Sequence, residues 1–173
     1  MIQIYKKFFK NKKVLITGNT GFKGTWLTHF HILFGSKILG ISNNFVSNPS
    51  IFKILKTDKK IKNKKIDILD FKNLKKNIEA FKPNYIFHLA AINGTKYFYE
   101  KPDKVLDVAC KGILNIIDVA KKLKIKNIFL ASSSEVYHSP TKIPTNENEP
   151  IKIPDIFNSR YSYAGGKILT ELL

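Results

Sequence analysis

The sequence predicts an α/β fold, a parallel sheet covered by helices on both faces, and three observations point to it. Short apolar runs alternate with stretches of helical periodicity along all 173 residues. The first run, Val14-Leu15-Ile16-Thr17, opens onto a glycine loop, Gly18-Asn19-Thr20-Gly21-Phe22-Lys23-Gly24. A helix is expected to begin inside that loop, the arrangement that binds a pyrophosphate on a helix N-terminus.

The elements follow in order. Val14–Thr17 reads as a buried parallel strand. A helix is predicted from Phe22 to about Phe34, with Trp26, Leu27, Phe30 and Leu33 at helical spacing, and Gly35-Ser36 ends it. Lys37–Ile41 reads as the second strand. Residues 42–63 are polar and irregular, with a short helical piece at 51–55. Ile66-Asp67-Ile68 is the predicted third strand. A helix follows with Phe71, Leu74, Ile78 and Phe81 on one face, and Pro83 breaks it. Strand four is Tyr85–Ala90, a long helix spans about 102–123, and strand five is Asn127–Ala131. After a loop carrying four prolines, a last helix starts near Arg160 and reaches Leu173 without a stop signal. The pattern is a Rossmann-like, doubly wound parallel sheet in three layers, αβα, with five visible strands. Residues 1–173 are expected to form one NAD(P)-binding domain that ends before it is complete.

Composition limits the function classes. No apolar run reaches the ~18 residues of a membrane span. The basic, apolar start lacks the long apolar stretch and small-residue cleavage site of a signal peptide. Cys110 is the only cysteine, so disulfide frameworks and cysteine metal sites are not expected; no metal is expected, and a reducing cytoplasm fits. The net charge of +17 invites a nucleic-acid reading, but Arg160 is the only arginine among 30 basic residues. The lysines lie scattered in Lys-, Ile- and Asn-rich sequence, as solvated faces do, so no nucleic-acid partner is expected.

Gly18, Gly21 and Gly24 allow a tight turn and a close backbone approach to phosphate. At the end of strand two an acid favours NAD by bonding the ribose 2′-hydroxyl, and a nearby Arg favours NADP. The chain has neither there. Ser42 or Asn43 can serve either cofactor, and the reading leans to NAD with NADP kept open. Asp67-Ile68 can set a carboxylate on the adenine amino group and an apolar wall against the ring, or be an ordinary strand end.

Tyr163 and Lys167, four residues apart on a predicted helix, share a face. An ammonium near a phenol favours the phenolate and is expected to lower its pKa from ~10, making Tyr163 a general base for a hydroxyl losing hydride from its carbon. Ser132-Ser133-Ser134-Glu135 follows strand five, at the sheet edge where open α/β folds place ligands. A hydroxyl there can bond the reacting oxygen, and Glu135 is a second acid/base.

Four segments in order, Thr17–Gly24, His88-Leu89-Ala90-Ala91, Ser132–Tyr137 and Tyr163-Ala164-Gly165-Gly166-Lys167, resemble the extended short-chain dehydrogenase/reductases. Within them the chain is similar to the NAD-dependent epimerase/dehydratase family of nucleotide-sugar enzymes. Thr20–Leu27 is similar to CDP-glucose 4,6-dehydratases, and the Ser-Ser-Glu after strand five to GDP-mannose 4,6-dehydratases and UDP-glucuronate decarboxylases. The resemblance implies that Tyr163 is the base at the sugar C4 hydroxyl, with hydride passing to nicotinamide. It implies that Lys167 holds the nicotinamide ribose, Ser133 bonds the C4 oxygen, and Glu135 takes the C5 proton. Cofactor contacts are expected at Gly18, Thr20, Gly21, Phe22, Lys23, Gly24, Ser42, Asn43, Asp67, Ile68, Leu89, Ala90, Ala91, Ser132, Tyr163 and Lys167. Ser134 departs from the Asp of dTDP-glucose dehydratases, and Ala109 stands where many relatives carry Asn.

The family also implies a nucleotide-sugar partner, a homodimer, and a further substrate-binding domain. Without that domain the chain is expected to bind cofactor weakly and turn over poorly. A decarboxylase or reductase on the same scaffold is the nearest alternative, and a dinucleotide-binding module without chemistry is the alternative from another class.

Overall fold

A computed structural model describes residues 2–45 and 47–173; Met1, in the basic start, and position 46, in the segment read as irregular, lie outside the described residues. The chain divides into two compact units, residues 1–90 with 114–130, and residues 91–113 with 131–173.

The first unit holds the whole sheet. Its strands are β1 (Lys13–Thr17), β2 (Lys37–Ser42), β3 (Lys62–Lys65), β4 (Tyr85–His88) and β5 (Asn127–Leu130). They are all parallel, in the order β3-β2-β1-β4-β5. The winding direction reverses between β1 and β4, and this switch point is where open α/β sheets place ligands. In β1, Val14–Ile16 are fully buried, as a strand covered on both faces requires. One face packs Leu15, Leu39, Ile41 and Ile86 against Leu74 and Ile78 of α4 (Phe71–Phe81) and Ile116, Val119 and Ala120 of α7 (Ile113–Lys122). The other packs Val14, Ile16 and Ile38 against Leu27 and Ile32 of α2 (Phe22–Leu33) and Phe9 of α1 (Ile2–Phe9). Each aliphatic side chain so removed from water contributes about 1.5–3 kcal/mol. Asp70 caps α4 by accepting from the Asn73 amide at 3.2 Å.

One expectation is corrected here, and two features go beyond what the sequence predicts. The third strand is Lys62–Lys65, not Ile66–Ile68. It is an edge strand, where lysines are tolerated because one side faces water, so apolar patterning misses it. Ile66 only extends the ladder by one bond, its amide donating to the Ser42 carbonyl at 3.1 Å. Second, α2 does not bury its aromatic stripe: Trp26, Phe30 and Leu33 are exposed, while Gly24, Thr25, Thr28 and His31 are buried. Small and hydrogen-bonding residues let α2 lie close to the loop; Thr25 Oγ1 donates to the Asn19 carbonyl at 3.2 Å. Third, the basic start forms α1, whose Phe9 ring meets His31 edge-on at 4.7 Å.

The second unit contains α5 (Thr95–Glu100), α6 (Pro102–Asp107), a π-helical turn at Val108–Gly112 and α8 (Ser162–Glu171). The long helix predicted over 102–123 is therefore interrupted by a wider turn, a feature often found at functional sites. Phe98, Val105 and Tyr163 form its apolar cluster, with Ala91 and Ile92 packed on them.

Candidate functional site

In the first unit the glycine loop crosses the C-terminal ends of β1 and β4. Gly18 has φ +71°, a left-handed conformation that suits glycine, and a Cβ there would stand 2.8 Å from the Ala90 amide nitrogen. At Gly24 a Cβ would overlap the Gly18 carbonyl oxygen. Gly18 and Gly24 thus keep the loop flush against β4 and α2. Gly21 caps α2, so the first turn of that helix, carrying the exposed Phe22 and Lys23, presents unbonded amides. Leu89 and Ala90 line the same edge: Leu89 N donates to the Thr17 carbonyl at 3.2 Å and Ala90 N to Thr17 Oγ1 at 3.3 Å.

The loop is tied to the end of β2. Thr20 N donates to Ser42 Oγ at 3.3 Å, Ser42 Oγ donates to Asn19 Oδ1 at 2.8 Å, and Thr20 Oγ1 donates to the Asn44 carbonyl at 2.6 Å. Asn19, fully buried, also donates from Nδ2 to Asn63 Oδ1 at 2.8 Å. Sequence reasoning passed over Asn19; its place between two loop glycines was the available signal. Asn43 Nδ2 donates to Asp67 Oδ2 at 3.0 Å, and Ile68 is buried beside it in sequence.

In the second unit four predicted side chains come together. Tyr163 hydrogen-bonds Ser133, and the Glu135 charge is felt at its phenol. Lys167, buried, donates from Nζ to the Ala131 carbonyl and lies 5.7 Å from the Tyr163 ring centre. Phe98 stacks on Tyr163 at 5.1 Å. The expected lowering of the Tyr163 pKa is not found. Burial pushes the phenol up, the Ser133 hydrogen bond pulls it down, and the Glu135 charge adds to the rise.

Arg160, the lone arginine, pairs with Glu135 at 3.4 Å, a partner that sequence spacing gave no means of assigning. Gly166 faces the π turn so closely that a Cβ would collide with the Ala109 methyl group. Ser132 Oγ is buried with no hydrogen-bond partner among the described residues. Ala91 belongs to this unit, in the apolar cluster under Tyr163. Among the described residues no group of three or more His, Cys, Asp or Glu is placed to hold a metal, and no helix is long and apolar enough to cross a membrane.

Known proteins resemble this chain in sequence and fold. A CDP-glucose 4,6-dehydratase of Salmonella typhimurium is 31% identical over 150 residues, covering 86% of this chain and 42% of that protein. A GDP-mannose 4,6-dehydratase of Vibrio cholerae is 28% identical over 166 residues, covering 91% of this chain and 43% of that protein. An epimerase structure from Methanothermobacter thermautotrophicus superposes with a TM-score of 0.83 at 30% identity, covering 99% of this chain and 49% of that one. A UDP-glucose 4-epimerase of Bifidobacterium longum, solved with NAD+ and UDP, gives 0.80 at 24% identity, covering 93% and 47%, and bears on the fold. The chain spans less than half the length of these curated relatives. Residues 15–173 match the GDP-mannose 4,6 dehydratase family, and the chain belongs to that family of NAD-dependent epimerases and dehydratases.

Proposed function

We propose that residues 1–173 act as the NAD-binding and catalytic part of a nucleotide-sugar 4,6-dehydratase. The observation that carries this is the meeting of Ser133, Glu135, Tyr163 and Lys167 in one unit. A dinucleotide fits the other unit: Gly18 and Gly24 let the loop close tightly on the Ala90 backbone and on itself, and the first turn of α2 beside it offers free amides for a pyrophosphate.

When bound, NAD supplies the acceptor for the C4 hydride and returns it later. Tyr163 takes the proton of the C4 hydroxyl as that hydride leaves. Ser133, already bonded to the phenol, holds the C4 oxygen. Glu135 then takes the C5 proton, made acidic by the new C4 carbonyl, and passes it to the C6 hydroxyl, which leaves as water; the hydride returns to C6 and C5 regains a proton from solvent. A 4-epimerase needs only C4 oxidation and its reversal on the opposite face, with no proton taken from C5, so the carboxylate beside the phenol favours the dehydratase reading. Lys167 positions the nicotinamide ribose and offers its charge as the phenol ionises. Its bond to the Ala131 carbonyl fixes the ammonium for that role.

The test uses the 173-residue chain in stoichiometric amounts with NAD+ and either GDP-mannose or CDP-glucose in heavy water. Deuterium at C5 of a 4-keto-6-deoxy product is the expected result. Tyr163→Phe should stop reduced nicotinamide from forming. Glu135→Gln should permit C4 oxidation without deuterium uptake. Product made equally well by Tyr163→Phe would overturn the assignment.

A further inference from the structure

We propose that Asp67, acting with Asn43, selects NAD over NADP in this chain by standing in for the acid missing from the end of β2. The inference rests on the cofactor reading above and deepens it. In sheets of this kind the group after the second strand reads the adenosine ribose: a carboxylate accepts from the 2′-hydroxyl, and a cation receives a 2′-phosphate. Here β2 ends at Ser42 and is followed by Asn43. Ser42 is committed to the glycine loop, accepting from Thr20 N and donating to Asn19 Oδ1, so its hydroxyl proton is already used.

Asn43 is the next side chain after Ser42, and its orientation is chemically determined. A carboxylate only accepts hydrogen bonds, so the side of Asn43 turned to Asp67 must be its NH2. The amide oxygen is then turned away from Asp67, and it is an acceptor. Asp67 is itself fixed at both oxygens: Oδ1 accepts from the Leu69 amide at 2.9 Å and Oδ2 from Asn43 Nδ2 at 3.0 Å. The pair offers an oriented acceptor backed by a negative charge. A 2′-hydroxyl can donate to that acceptor. A 2′-phosphate brings only acceptors and a second negative charge, so both parts of the pair oppose it.

The opposing feature is the chain's positive charge. Lys65 pairs with Ser42 across the β2–β3 ladder, and the net charge of +17 draws the more anionic NADP. That attraction is long-range and screened by salt, whereas the Asn43–Asp67 pair acts at contact.

Binding of NAD+ and NADP+ to the whole chain, measured by calorimetry at physiological salt, tests the proposal without any turnover. The chain is expected to prefer NAD+. Asp67→Asn keeps an oxygen for the Leu69 amide and removes the charge; it should reduce the NAD+/NADP+ affinity ratio by about tenfold. Asn43→Ala, on the exposed side of the pair, should also lower the ratio, and circular dichroism melting checks that both variants fold. An unchanged ratio in both variants overturns the proposal, as does a wild-type preference for NADP+; either result leaves dinucleotide binding intact. Failure of the chain to bind either dinucleotide overturns the cofactor reading itself, and this inference with it.

Discussion

The first unit buries aliphatic side chains on both faces of a sheet, and the residues proposed to touch the cofactor lie on loops at its edge. In the second unit Tyr163 belongs to the apolar cluster with Phe98 and Val105, and the buried Lys167 lies 5.7 Å from its ring. Stability and chemistry are therefore carried by separate residues in one unit and by the same residues in the other. Substitution in the first core should change melting and leave the chemistry of surviving molecules intact. In the second, the two should change together.

Leu15→Ala makes the strongest case. Leu15 is fully buried at the centre of β1 between α4 and α7. Its truncation removes apolar contacts and leaves a cavity, for about 2–5 kcal/mol of lost stability. Chemical denaturation measures this. A loss under 1 kcal/mol would mean that the sheet is not the stabilising centre of its unit.

His31 gives the first unit a pH signature. Burial lowers its pKa from 6.5 to about 4, with Phe9, Phe34 and Phe87 around the ring. A group whose folded pKa is depressed below its unfolded value contributes stability that is complete above the unfolded pKa. That stability is lost as pH falls from 6.5 towards about 4. The loss should amount to about 2–3 kcal/mol. His31→Leu should flatten the unfolding free energy across that window, and equal slopes in the two proteins would refute the burial argument.

The second unit is probed at Gly166. An alanine there would drive its methyl group into Ala109 on the π turn. The expected cost is about 1–3 kcal/mol, with displacement of Tyr163 and Lys167 on the same helix. Ala109→Gly in the same chain should restore most of the loss, because the space is shared between the two positions. Melting of the two single variants and the double variant gives the coupling. Additive effects would show that the contact does not seat α8.

How far the sequence reveals each region follows from the same contrast. The buried parallel strands β1, β2 and β4 were legible because a covered strand must be apolar, α4 because a surface helix must be striped, and the half-exposed edge strand β5 because its run Ile128-Phe129-Leu130 is still apolar. The edge strand β3 escaped because Lys62–Lys65 satisfy a ladder on one side and water on the other. The exposed face of α2 was misleading for the opposite reason: Trp26 and Phe30 have helical spacing but Thr25 and Thr28 make the close contacts. In the candidate site, Ser133, Glu135, Tyr163 and Lys167 were legible from order and spacing. Asn19, Arg160 and the Ala109–Gly166 contact were not, since each depends on which distant segment folds against it. The direction of the Tyr163 pKa was also out of reach: spacing shows that a lysine is near, and only packing shows that burial pushes the phenol up.

The smallest effect on stability is expected where the chemistry is most sensitive. Glu135 and Arg160 form an ion pair at 3.4 Å, and each side chain is about a third exposed, at 34% and 35%. Water and salt screen such a pair, and ordering two long side chains offsets part of the attraction, so it contributes about 0.2–1 kcal/mol. The backbone at Arg160 is also held by its own turn, its amide donating to Asn158 Oδ1 at 3.0 Å, so the turn does not rest on the ion pair alone. Glu135→Gln should therefore shift melting very little while removing the group proposed to take the C5 proton. Arg160→Gln should be equally mild in melting. If Glu135→Gln instead unfolded the second unit, the carboxylate would be a structural anchor, and the separation of charge for chemistry from packing for stability would not extend to this turn.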